Sequence, residues 1–79
     1  MPRYRIRLIN SEFDSADESD FPSLEAARKS AVHTATKVVS EAVAEGENAS
    51  AVEVHICEQE HMVSRQVVTL SVVDLTAGQ

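Results

Sequence analysis

Between Leu24 and Val43 the apolar residues recur at spacings of three and four: Leu24, Ala27, Ala31, Ala35, Val38, Val39, Ala42 and Val43. Such spacing keeps them on one face of a helix. Glu25, Lys29, His33, Lys37, Glu41 and Glu45 mark the opposite face. Ser23 stands at the N-cap position, and Gly46 stands where a left-handed residue ends many helices. The pattern predicts one helix of about 22 residues, roughly 33 Å long at 1.5 Å per residue. Val32, Thr34, Thr36, Val38, Val39 and Val43 are β-branched. Packing rather than intrinsic propensity must therefore hold the helix.

Elsewhere the period falls to two. Tyr4, Ile6 and Leu8 alternate with Arg3, Arg5 and Arg7, the signature of a half-buried strand. Val52, Val54 and Ile56 alternate with Glu53, His55 and Cys57 over a second stretch, Ala51 to Glu58. Glu58 to His61 reads as a hairpin connection without an Asn-Gly or Asp-Gly pair. Arg65 to Val73 reads as the last strand, with Val68, Leu70 and Val72 on one side and Val67, Thr69, Ser71 and Val73 on the other. Partial apolarity on both faces predicts a central position or a covered outer face. Residues 10–20 are polar and acidic, and read as a solvated loop. A structureless loop of that length is uncommon in a compact domain, which leaves room for a short strand near Phe13 or just before Phe21.

These elements predict an α+β fold: a sheet of three strands, or four with the short one, and one long helix across one face. The expected core is Tyr4, Ile6, Leu8, Leu24, Ala27, Ala31, Ala35, Val38, Ala42, Val52, Val54, Ile56, Val68, Leu70 and Val72. The 79 residues fit a single domain, 1–79, with a frayed tail over 74–79. At this size only about 60–65% of the unfolded chain's surface can be buried, so stability should be marginal.

Charge narrows the function classes. The net charge is −6 and the pI about 4.8, which disfavours general nucleic-acid affinity. Its distribution is uneven: Arg3, Arg5 and Arg7 hold three of the seven basic residues, and five acids lie between Glu12 and Asp20. Cys57 is the sole cysteine, so no intrachain disulfide forms. Residues 1–9 lack the continuous apolar run of a secretion signal, and no segment approaches the roughly 18 apolar residues of a membrane span. The expected location is the cytoplasm.

His55, Cys57 and His61 form the sharpest chemical constellation. His55 and Cys57 share a strand face, and His61 could fold back across the hairpin to complete three zinc ligands or a thiol site. No C-x-x-C or H-x3-H pair supports it, and Glu53 and Glu58 disfavour a thiolate at Cys57. The acids of residues 12–20 lack the calcium-loop spacing and its turn glycine. Arg3, Arg5 and Arg7 make a basic stripe suited to an anion or RNA. The strand's one aromatic, Tyr4, alternates away from it, which favours pairing of the arginines with Glu53 or the acidic segment.

The opening Met1-Pro2-Arg3-Tyr4 before an alternating strand, and the helix start Phe21-Pro22-Ser23-Leu24-Glu25-Ala26-Ala27-Arg28, resemble a family of short uncharacterised bacterial proteins, a domain of unknown function. The resemblance spans nearly the whole chain. It implies strand–helix–strand–strand order and an intracellular bacterial setting, and it brings no activity, cofactor or catalytic residue. Members carry an Asp/Gly-containing turn after the first strand. This chain has no glycine between Asn10 and Asp20, which argues against a tight first hairpin. The function expected is a non-catalytic protein-interaction or self-association module without cofactor, nucleic-acid or membrane binding. Its interface would be Val67, Thr69, Ser71 and Val73, which pair with a second copy or with another protein. The alternatives are the site at His55, Cys57 and His61, or anion or RNA binding by Arg3, Arg5 and Arg7.

Overall fold

A computed structural model describes residues 1–76. The chain runs β1 (Arg3–Ile9), β2 (Asp14–Asp20), α1 (Leu24–Ala44), β3 (Ala49–Glu58) and β4 (His61–Ser71). The strands form one sheet in the order β2-β1-β3-β4, with every neighbouring pair antiparallel. Helix α1 lies over β3 and β4 and touches β1 only at its margin. The fold is α+β, with the helix packed on one sheet face.

Both helix ends follow the sequence signals. The Ser23 hydroxyl oxygen accepts from the Ala26 amide at 3.1 Å. Gly46, at φ +113°, donates to the Val43 carbonyl, and Glu47 donates to the Ala42 carbonyl. This pair of bonds satisfies two carbonyls that the helix terminus leaves free. The Thr34 and Thr36 hydroxyls bond back to the Ser30 and Val32 carbonyls, so these β-branched residues keep their polar atoms partnered.

The core is Tyr4, Ala27, Ala31, Ala35, Val39, Val52, Val54 and Ile56. An alanine stripe on α1 lets the helix approach the sheet closely. Ile56, Val39, Val52 and Val54 are the largest fully buried side chains, each contributing about 1.5–3 kcal/mol by removal from water. Phe21 packs on Tyr4 with ring centroids 6.3 Å apart, and its amide donates to the Pro2 carbonyl. These contacts pin the start of the helix to the start of β1. Burial, then the nearby Glu58 carboxylate, pushes the Tyr4 phenol above its ordinary pKa.

The structure corrects four expectations. Residues 14–20 form a full seven-residue strand, the fourth strand for which the sequence left room and longer than the short one expected, in a segment whose composition favoured a loop. The first hairpin is tight without glycine, because the Asn10 side chain accepts from the Glu12 and Phe13 amides at 2.7 and 2.9 Å. The last strand is an edge strand rather than a central one, and it ends at Ser71. Val39 enters the core, whereas Leu70 and Val72 are 38% and 57% exposed. Leu70 shares the helix side of the sheet with Val68, but Val72 lies past the end of the strand. Of the expected tail, Asp74 forms a turn by accepting from the Thr76 amide and hydroxyl, and residues 77–79 lie outside the described residues.

Candidate functional site

The sheet face away from α1 is uncovered, and pairing registers show what it carries. Arg3, Arg5 and Arg7 stand opposite Asp20, Glu18 and Ala16 on β2. On the other side Arg5 faces Cys57, Arg7 faces His55, and His55 faces Arg65 of β4. Every second residue of four strands thus builds one polar face.

That face neutralises itself. Arg3 Nε lies 3.3 Å from Glu18 Oε1, and its Nη1 lies 3.6 Å from Asp20 Oδ1. Arg7 holds Asp14 with both ends of its guanidinium, Nε to Oδ1 at 2.8 Å and Nη2 to Oδ2. Glu53 Oε1 accepts from Arg65 Nε and Nη2 at 3.1 and 2.9 Å and contacts His55 Nε2 at 3.1 Å. The Arg7 hydrogen bond holds the Asp14 carboxyl below its ordinary pKa. Glu53 is held down likewise, first by His55 and then by Arg65. Arg5 alone of the three β1 arginines has no ion pair among the described residues. It borders a groove of about 500 Å³ shared with His55, Cys57 and Met62.

The proposed metal or thiol cluster is not assembled. The hairpin register sets His61 opposite Glu58 and Met62 opposite Cys57, with an irregularity after Ile56. His61 therefore shares the helix side with Glu58, while His55 and Cys57 point to the open side. Among the described residues no three His, Cys, Asp or Glu side chains are grouped to hold a metal ion. The His55 ring is bonded to Glu53, and no hydrogen bond joins it to the half-buried Cys57 among the described residues.

The expected interface residues divide. Val67, Thr69 and Ser71 lie on the open side of β4 and are exposed, and Val73 lies past its end. The two sheet edges differ sharply. β2 carries Asp14, Asp17, Glu18 and Asp20 in seven residues. β4 carries no acid, and Gln66 to Val73 is an uncharged run containing Val67 at 57% exposure. Arg65 as the partner of Glu53, and β2 as a ladder of acids, were not anticipated residue by residue. The signal was present: Asp14, Glu18 and Asp20 keep the two-residue parity of Arg3, Arg5 and Arg7.

Sheet, helix and uncovered face define a small α+β domain with one acidic edge and one neutral edge. Residues 3–71 match the family described as Domain of unknown function (DUF6894), and the chain belongs to that family. No curated protein and no solved structure matches it. No helix among the described residues is long and apolar enough to cross a membrane.

Proposed function

We propose that this chain is a non-catalytic interaction module of the bacterial cytoplasm that binds protein by strand addition at the outer edge of β4. The observation that carries the reading is the contrast between the edges. An edge strand offers unpaired amides and carbonyls, and proteins blunt such edges with charge, proline or cover. β2 is blunted by four acids, and β4 is left uncharged from Gln66 onward with Val67 exposed. Main-chain pairing would supply affinity there, and the alternate side chains Val67 and Thr69 would supply selectivity. On the open face Arg3, Arg7 and Arg65 are engaged in ion pairs, which leaves Arg5 as its one β1 arginine without an ion pair among the described residues.

A photo-crosslinking amino acid at position 67, compared with one at position 16 on β2, tests this in cells. Adducts are expected at 67 and not at 16. Equal labelling at both positions, or none at 67, would remove strand addition at β4.

A further inference from the structure

Resting on the β4-edge reading, we infer that the strand added to β4 is β4 of a second copy, paired antiparallel about a two-fold axis at Val67. Charge selects the geometry. Pairing of β4 with the β2 edge of another copy would be heterologous and would propagate into a ring or an open filament rather than stop at two copies. In it Asp14, Asp17, Glu18 and Asp20 would be partly desolvated against a strand whose one cation within Ser64–Ser71 is Arg65, already bound to Glu53, a cost without compensating pairs. Pairing of β2 with itself would set acids against acids, which is destabilising. β4 with β4 is free of both penalties, and it closes.

The register follows from the same rules. Centring on Arg65 would place two guanidinium groups directly opposite each other. Centring on Val67 places Arg65 opposite Thr69 of the second copy and brings the two exposed Val67 side chains together. The same register sets the part-exposed Leu70 opposite Ser64. The open-side contacts of Arg65 with Glu53 are undisturbed.

The helix position fits as well. Helix α1 packs mainly on β3 and β4, so a two-fold axis between the two β4 strands puts both helices side by side on the same side of the joined sheet. Between α1 and β4 lies a groove of about 550 Å³ bordered by Arg28, Val32, Thr36 and Gln66. The neighbouring helix would cover it. The product is an eight-stranded sheet with both helices on one side and an acidic β2 at each outer edge.

Sedimentation velocity of the purified chain over a concentration series is the first test, with a shift from monomer to a two-fold dimer expected as concentration rises. The second is oxidation of Cys57→Ser/Val67→Cys, which should give a covalent dimer, against Cys57→Ser/Ala16→Cys, which should not. A monomer up to millimolar concentration, or no preference for position 67 in the oxidation, would overturn the inference. A monomer that still crosslinks at position 67 in cells, in an adduct of another mass, would overturn the second copy while leaving strand addition at β4 intact. Absence of both signals would remove both.

Discussion

Arg7 on β1 grips Asp14 on β2 across the tight first hairpin, its Nε 2.8 Å from Asp14 Oδ1 and its Nη2 on Oδ2. The two are not directly opposite: Asp14 pairs with Ile9, so the contact is diagonal. Together with Arg3 on Glu18 and Asp20 at the other end, it ties down a strand that buries none of its seven residues. β2 has no hydrophobic reason to stay in the sheet. Its backbone ladder and these cross-strand pairs, diagonal for Arg7–Asp14 and Arg3–Glu18 and direct for Arg3–Asp20, are what hold it.

Removing one of those pairs should therefore loosen β2 and little else. Arg7→Gln is expected to lower amide-exchange protection severalfold across Asp14–Asp20, while Val52, Val54 and Ile56 keep theirs. Uniform loss of protection over all four strands would show that β2 unfolds only with the whole domain.

The same pairs set an acid dependence. Asp14 and Glu53 are both held below their ordinary values of 3.8 and 4.5. A carboxylate with a depressed pKa in the folded state stabilises the fold above its unfolded pKa, and that contribution is lost as pH falls through the folded value. Stability from these two groups should thus be complete at neutral pH and decline from about pH 4.5 downward. Thermal melts from pH 6 to pH 3 of the parent and of Arg7→Gln would resolve it. The curve of Arg7→Gln should fall less steeply on acidification. Parallel curves would show that the Asp14 pair carries no linkage.

The β3–β4 turn holds removable strain. Gln59 and Glu60 occupy φ values of +51° and +69°, a left-handed pair that the tightest hairpin turns require and that glycine and asparagine adopt readily. Replacement by Asn-Gly keeps the backbone and removes a side-chain conflict. Gln59→Asn/Glu60→Gly should raise stability by about 1–2 kcal/mol in urea unfolding. A neutral or destabilising result would mean that the Gln59 or Glu60 side chain makes a contribution larger than its strain.

These residues also show what the sequence made legible. Where burial wrote the pattern, the reading held except at the outer strand, where Leu70 and Val72 are exposed, and at Val39, which joins the core. The period of α1 and the inward set Val52, Val54 and Ile56 follow from hydrophobic spacing, and the cap at Ser23 and stop at Gly46 from the residue types at those positions. β2 was illegible by that route because it has no inward side to bury, and its propensities point to loop. Only the matching parity of acids and arginines encodes it, and that parity has meaning once a hairpin is assumed. The tight turn at Asn10 was hidden for a similar reason: an asparagine side chain supplied the bonds that a glycine-based turn would have made with backbone. The edge position of β4 reflects strand order, which local periodicity does not carry. His61 was misplaced by the hairpin register, since an irregularity of one residue moves a side chain to the other face.

The arginine stripe leads to the last prediction. Nucleic-acid affinity rises with the number of phosphates that cations can neutralise, and falls when those cations are already occupied. Arg3 and Arg7 are bound to carboxylates of β2, which leaves Arg5 as the one β1 arginine without an ion pair among the described residues. Tyr4, the aromatic of that strand, is buried on the helix side, so no ring of β1 is offered to a base. A net charge of −6 opposes encounter as well. Titration of fluorescently labelled single-stranded RNA at physiological salt should therefore give no binding. Micromolar binding lost in Arg5→Glu would contradict this. The variant Asp14→Asn/Glu18→Gln/Asp20→Asn releases Arg3 and Arg7 and makes the chain three units less negative. It should acquire weak binding that disappears as salt is raised, because the stripe would then present three free guanidinium groups along one strand.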